Sequence, residues 1–337
     1  MKTKAGTDLT QLRRLINGYQ VTQALHVLAV LRIPDELAAG PRPVNDLATA
    51  VGANESALYR VLRAAAAIGV LEELPGHRFL LTDLGNGLRA DAPESLAGWA
   101  AFVGRPYHQA AWARLVDGVR TGEVPFRIEF GTDIWTYRRE HALETPIFNR
   151  AMNSLTGSVT ESIVAGYDFS RFGLVVDVGG GGGALLVAIL NRFPSVRGVL
   201  FDLPHVVADS RTFIDESGFG DRIQLVGGSF LEEVPPGGDA YVLKSVLHNW
   251  DDDGARRILK ACRQAMTGQA RLLVLERLIP GPNEGTDVKF MDINMFVGPG
   301  SFERTAEEWE RLFDIGGFKL LRITPVGVFV VIEATPA

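Results

Sequence analysis

Cysteine is almost absent: Cys262 is the only one in 337 residues. An internal disulfide and a thiolate metal cluster are therefore excluded. Long apolar runs are missing too, and no uninterrupted stretch reaches membrane-spanning length. The opening residues, MKTKAGTDLTQLRRL, lack the apolar core of a signal peptide. A cytoplasmic protein with no membrane partner is expected. Nor is there an excess of positive charge. Against 34 Lys and Arg stand 40 Asp and Glu, a net charge of −6, which argues against a nucleic-acid partner. Composition is otherwise that of an ordinary globular chain, 46% hydrophobic and 22% charged. The length suffices for two domains with a sizeable core. Cys262 lies in a helix-like segment and reads as a packed thiol.

What the chain has in abundance is glycine at one place. Leu174–Gly183 reads LVVDVGGGGG and is followed by the helical-looking ALLVAILNRF. An apolar strand ends at an acid, and the backbone then turns where side chains would obstruct it. A helix beginning there aims its N–H groups back at a ligand. The plainer reading is a tight turn with no ligand, but the strand, helix and following acid favour a nucleotide-like cofactor. The run satisfies the dinucleotide pattern G-x-G-x-x-A at Gly179, Gly181 and Ala184. It also satisfies the D-x-G-x-G-x-G pattern of S-adenosylmethionine (SAM) methyltransferases from Asp177 to Gly183. Asp202, ending the next candidate strand, sits where an acid takes ribose hydroxyls. Both cofactors carry that ribose, so Asp202 does not separate them.

The first third of the chain is helical and alanine-rich. Asp8–Leu31 has apolar residues at helical spacing, closed by Ile33-Pro34. A helix, a turn at Gly52, a second helix over Glu55–Ile68 and two short strands, Val70–Glu73 and Arg78–Leu81, make a winged helix-turn-helix pattern. DNA binding and a structural or dimerisation role compete for it. The second helix carries Ala57 and Ala64–Ala67 with only Arg60 and Arg63 as cations, and Pro41–Ala90 has equal numbers of acids and Lys/Arg. A recognition helix needs side chains for phosphates and base edges, so the dimerisation reading is preferred. Ser95–Ser170 reads as helical with many aromatics, most of them core and some suited to lining a flat apolar cavity.

From Arg171 strands and helices alternate. Candidate strands are Leu174–Val178, Gly198–Asp202, Ile223–Gly227, Ala240–Lys244 and Arg271–Glu276. Helices are expected at Ala184–Phe193, Val206–Gly218 and Gly254–Met266. This is a doubly wound α/β pattern. After a helix at Ala306–Ile315, FKLLRITPVGVFVVIEA reads as two antiparallel strands joined by a short Pro-Val-Gly turn. A parallel sheet closed by such a hairpin is the layout of class I SAM methyltransferases, which shifts the weight towards SAM. The expected division is 1–95 as a winged-helix-like dimerisation domain, 96–170 as a helical connector contributing to a substrate pocket, and 171–337 as a Rossmann-like catalytic domain.

Together the motifs LVVDVGGGGG, FDLPHV (Phe201–Val206), GGSF (Gly227–Phe230), LKSVLHNWDDD (Leu243–Asp253) and FERT with EEW (Phe302–Trp309) resemble a known family. It is that of SAM-dependent small-molecule O-methyltransferases, typified by plant caffeate and acetylserotonin enzymes, with bacterial relatives that tailor natural products such as antibiotics. The resemblance spans nearly the whole chain. It implies a homodimer, SAM as cofactor with S-adenosylhomocysteine as product, no metal, and an aromatic acceptor. It places Asp177, Gly179, Gly180 and Gly181 at the methionine end of SAM and Asp202 on the ribose. Leu203, Ser229 and Phe230 fall beside the adenine, and Lys244 near the cofactor. His248 matches the catalytic base, and Glu276 and Glu303 the acids flanking it. Phe148, Met152, Met295 and Asn249 fall on the acceptor side. Two positions depart from the family: Ser229 and Asn249 stand where acids are common, and an amide cannot accept a proton.

The chemistry fits those residues. A phenol with a pKa of about 10 is a poor nucleophile, and an imidazole of about 6.5 can take its proton as the new bond forms. An acid on the far ring nitrogen fixes the tautomer. The Asp251–Asp253 run reads as a helix start with an Asp cap. His108, among the aromatics, is a further candidate for substrate contact, whereas His26, His77, His141 and His205 have weaker cases. Two alternative functions are a drifted SAM-binding relative that hydroxylates or decarboxylates an aromatic polyketide, and a ligand-responsive winged-helix regulator. A nicotinamide dehydrogenase is a poorer option.

Overall fold

The computed structural model describes residues 9–92, 94–155 and 157–337. Two compact units emerge. One comprises Met1–Ala113 with Thr136–Gly157, the other Arg114–Trp135 with Ser158–Ala337.

In the first unit the expected N-terminal helix is two helices, Leu9–Ile16 and Gly18–Val30; Asp8 lies outside the described residues. Pro34 does not close a helix. Left-handed Arg32 makes the break, and Pro34 takes the second position of a short helix, Ile33–Glu36, where its missing N–H costs nothing. Helices Val44–Val51 and Glu55–Ala67 follow. Gly52, at φ 66°, ends the former, and the Asn54 side chain caps the latter by accepting the Ala57 N–H at 3.0 Å. Strands β1 (Arg42–Pro43), β2 (Leu71–Leu74) and β3 (Arg78–Leu81) form a small antiparallel sheet in the order β1-β3-β2. Leu28, Leu47, Leu58, Leu62 and Phe79 fill the core beneath this winged helix.

The second unit is built on a seven-stranded sheet. Its strands are β4 (Leu174–Val178), β5 (Arg197–Asp202), β6 (Ile223–Gly227), β7 (Ala240–Lys244), β8 (Arg271–Glu276), β9 (Phe318–Val326) and β10 (Phe329–Pro336). Their order is β6-β5-β4-β7-β8-β10-β9. β4 to β8 pair in parallel, and β10 is antiparallel to both β8 and β9. The chain order reverses between β4 and β7, the place where open α/β sheets form a ligand crevice. Apolar clusters cover both faces of the sheet, as continuous apolar strands require. The hairpin turn differs from the expected one. Pro325 and Val326 belong to β9, and Gly327, at φ 68°, begins the turn. β9 is an edge strand, where a proline N without hydrogen is tolerated. The helix Thr286–Val297 was not anticipated. No helix among the described residues is long and apolar enough to cross a membrane.

Candidate active site

The carboxyl ends of β4, β5, β7 and β8 bring most of the singled-out residues to one edge of the sheet. β4 delivers Asp177 and then the glycine loop. Gly179 and Gly180 donate to the Phe201 carbonyl at 2.8 and 3.4 Å, tying the loop to β5. Gly181 has φ 57°, a conformation side chains resist, and a Cβ built on it meets nothing within 4 Å. Its backbone is therefore open to a ligand. Gly180 is glycine for want of space, since a Cβ there would lie 2.6 Å from the Asp177 carboxylate.

Asp202 holds the loop as well as facing it. Its Oδ2 accepts the Gly181 N–H at 2.9 Å and its Oδ1 accepts the Leu203 N–H at 2.7 Å. Each carboxylate oxygen keeps a second lone pair. Asp177 is buried, with Oδ2 lacking a hydrogen-bond partner among the described residues. Burial pushes its carboxyl up to about 7, with nearby Lys244 opposing and Asp202 adding to the rise. Burial lowers the Lys244 ammonium, which the charges of Asp177 and Glu276 counter. Phe230 lies against Gly179 and meets Trp250 edge-on, with ring centroids 6.1 Å apart. Ser229 folds back, its hydroxyl accepting the Leu231 N–H at 3.4 Å. Bare glycine backbone bordered by acids fits a cationic adenosyl cofactor such as SAM.

His248 follows β7 in a single turn, Leu247–Asn249, and only 12% of its side chain is exposed. Glu303 Oε1 lies 3.0 Å from its Nδ1. Glu276, ending β8, accepts the His248 backbone N–H through Oε1 at 3.3 Å and sets Oε2 3.6 Å from Nδ1. Both carboxylates are fully buried. A carboxylate only accepts, so Nδ1 carries the hydrogen and Nε2 is left as the basic nitrogen. Burial alone would lower the histidine's pKa. The charges of Glu276 and Glu303 and the Glu303 bond outweigh it and leave His248 raised. Burial and the Glu303 charge likewise raise Glu276. The ligand atoms of His248, Glu276 and Glu303 all lie within 4.8 Å of one another, so this cluster also has the spacing of a metal site.

Several supporting residues had escaped the sequence reading. Asp292 Oδ1 accepts the Glu303 N–H at 2.9 Å. Arg304, 1% exposed, donates to the Leu247 and Trp250 carbonyls at 3.2 and 3.1 Å and pairs with Asp252 at 2.9 Å. It thus clamps the turn that carries His248; its only signal was membership of FERT. Asn249 Nδ2 donates to the carbonyl of Ser245 at 3.0 Å, and Ser245 is left-handed with φ 55°. An Asp could not make that bond, which gives the departure at Asn249 a structural role. Asp251 caps the helix Asp252–Ala265 by accepting the Gly254 N–H at 2.8 Å.

Met295 is buried on the helix Thr286–Val297 of the same unit. Phe148 and Met152 lie on the helix Glu144–Ser154 of the first unit. His108 is buried there against Phe102, with centroids 4.8 Å apart. Burial, with the Arg138 charge adding, pushes it down to about 4.

Residues 112–319 match a family model described as an O-methyltransferase domain, and residues 13–90 match an O-methyltransferase dimerisation domain. A phenazine O-methyltransferase of Lysobacter antibioticus is 41% identical over 96% of this chain and 95% of its own length. A mitomycin biosynthesis 6-O-methyltransferase of Streptomyces lavendulae is 37% identical, covering 93% of this chain and 90% of its own. Among solved structures, human N-acetylserotonin methyltransferase in complex with SAM superposes with a TM-score of 0.90 at 25% identity, over the full length of both chains.

Proposed function

Because the chain belongs to the O-methyltransferase family, with methyltransferase and dimerisation domains both present, we propose that it methylates a phenolic hydroxyl of an aromatic secondary metabolite. The similarity to phenazine and mitomycin enzymes supports that acceptor class. The observation that carries the reading is His248 held between two buried carboxylates at the sheet edge that bears the glycine loop.

SAM supplies, when bound, an electrophilic methyl group on a sulfonium. Gly179–Gly181 and Asp177 form the bed for its methionine end, Asp202 accepts from the ribose hydroxyls, and Leu203, Ser229 and Phe230 border the adenine. Lys244 stands near the loop. His248 Nε2 takes the proton of the acceptor hydroxyl, a contribution of about 10²–10⁴ in rate. Glu303 keeps the proton on Nδ1, and its charge together with that of Glu276 stabilises the imidazolium that forms. Met295 and Asn249, in the same unit as His248, stand as the acceptor-side residues of this reading. A dry surround helps, because a phenolate and a cation together are less costly there than either alone.

The enzyme is proposed to act as a cytoplasmic homodimer. Leu9, Leu12, Leu15, Ile16 and Tyr19 are more than half exposed on the N-terminal helices, apolar surface that a second copy would cover. Light scattering at micromolar concentration should give twice the chain mass of 36.6 kDa; an active monomer would contradict it.

Incubation with methyl-labelled SAM and a panel of hydroxylated aromatics tests the reaction. Label should appear on oxygen, with a mass gain of one methylene. Label on nitrogen, loss of carbon dioxide or gain of oxygen would each overturn the reading.

A further inference from the structure

His248, Glu276 and Glu303 all lie in the second unit, and they hold more than a general base requires. One carboxylate suffices to keep a hydrogen on Nδ1 of the histidine, and here there are two. Glu303 Oε1 is 3.0 Å from that nitrogen and Glu276 Oε2 is 3.6 Å from it. Both carboxylates are fully buried, and among the described residues Glu276 Oε2 and Glu303 Oε2 have no hydrogen-bond partner. A buried carboxylate oxygen left unpaired is costly. The nearest cations are engaged elsewhere. Arg304 is committed to Asp252 and to the Leu247 and Trp250 carbonyls, and Arg277 stacks over Phe329 at 4.9 Å. They reach the cluster through their charge. The spacing is that of a metal shell. Ligand atoms bonded at about 2.0–2.2 Å to a tetrahedral zinc ion stand about 3.4 Å apart. The two separations from Nδ1 bracket that value, and the ligand atoms of all three residues lie within 4.8 Å of one another. Charge fits as well, since a divalent ion cancels two carboxylates and an imidazolium proton cancels only one. One nitrogen with two carboxylate oxygens suits an ion of the zinc class, whereas calcium and magnesium ask for an all-oxygen shell.

We propose that His248, Glu276 and Glu303 form a site for a divalent transition-metal ion of the zinc class, with water completing the shell, and that the ion is an inhibitor and not a cofactor. The inhibition rests on the reading that His248 is the base. A neutral imidazole carries one hydrogen. An ion on Nδ1 takes the lone pair of that nitrogen, so the hydrogen sits on Nε2. Nε2 then has no lone pair to receive the proton of the acceptor hydroxyl. Any proton held by the carboxylates leaves to solvent as the ion binds. The glycine loop and Asp202 contribute no ligand, so SAM binding is unaffected.

The test uses the full chain, first stripped with a chelator, and two probes. Zn²⁺ is titrated by calorimetry without acceptor, and Co²⁺ reports a four-coordinate site by its visible absorption. A single Zn²⁺ per chain should bind. Glu276→Gln, Glu303→Gln and His248→Gln should each weaken binding about tenfold or more, since even the outer partners of a metal are worth that much. His77→Gln is the control, because His77 Nδ1 also lies 3.6 Å from a carboxylate, that of Glu73, but on an exposed surface. It should bind as the wild type does. No binding under excess Zn²⁺ overturns the proposal and leaves the orphaned oxygens to share a proton. Affinity that survives all three cluster variants, or that falls in His77→Gln, overturns it too and means an adventitious ion only. Should the cluster variants not fold, anomalous diffraction at the zinc edge from the wild type decides. An ion at Nδ1 between the two carboxylates supports the proposal, and an ion elsewhere overturns it. Methyl transfer from labelled SAM should fall in proportion to Zn²⁺ occupancy, with SAM affinity unchanged, and return when the chelator is added. Turnover that persists with the cluster loaded would overturn the inhibition and the base reading behind it while the site itself stood, so the two failures are told apart.

Discussion

Glu303 Oε1 lies 3.0 Å from His248 Nδ1, and in the proposed mechanism this contact sets the pH range in which the histidine can take a proton. His248 is raised because the Glu276 and Glu303 charges and this bond outweigh burial. A base must be unprotonated, so turnover should rise with pH through a value above the ordinary histidine range near 6.5. Glu303→Gln removes one charge and weakens the bond. The acid limb of the kcat profile should therefore move to lower pH, while the plateau falls because the imidazolium loses a stabilising charge. An unmoved acid limb would show that a different group titrates.

Asp202 holds Gly181 and, in the proposed reading, receives the cofactor ribose. Asp202→Ala should weaken SAM binding by about 2–3 kcal/mol, the upper part of the range for hydrogen bonds to a charged group, as read by calorimetry. Affinity within twofold of wild type would remove Asp202 from the cofactor site.

Glu333 on β10 is 3% exposed and accepts from Tyr167, Arg171 and Arg322, each at 2.8 Å. Burial would raise its pKa, but these partners outweigh burial and lower it. A lowered folded pKa means stabilisation fully present above the unfolded value near 4.3 and lost as pH falls through the folded value. Glu333→Gln should cost about 1–3 kcal/mol at pH 7, less than a fully buried pair because two of the arginines are substantially exposed. The difference in melting temperature from wild type should shrink as pH drops from 5 to 3. A constant difference would place the effect in packing alone.

Cys262 is buried, and burial pushes its thiol up to about 12. The thiolate is the reactive form. A thiol reagent at pH 8 should leave the native chain unmodified and label it once on unfolding. Rapid native labelling would mean that the helix Asp252–Ala265 opens readily.

Much of this was legible in the sequence, for identifiable reasons. β4, β6, β7 and β8 begin and end where expected because each is a short apolar run bounded by glycine, an acid or a basic residue. The sheet edge that gathers Asp177, Asp202 and His248 follows from the alternation of strands and helices. Glu303 is different. Its approach to His248 joins positions 55 residues apart, and only the resemblance to a family named it beforehand. The helix Thr286–Val297 was overlooked because its apolar residues Val288, Phe290, Met291, Ile293, Met295, Phe296 and Val297 spread around the helix without forming a single apolar stripe. Pro34 and Pro325 misled in the same way, since proline ends an element only where its missing N–H is needed.

The central claim is that His248 removes the proton from the acceptor hydroxyl. The most direct measurement is kcat for His248→Gln at neutral pH on a phenol of ordinary pKa, with SAM affinity measured alongside. Glutamine still hydrogen-bonds but is a far poorer base. Turnover should fall about a hundredfold or more with SAM affinity nearly unchanged, and the loss should shrink as pH approaches the phenol's own pKa. Near-wild-type turnover at neutral pH would contradict the account and leave methyl transfer here to proximity alone.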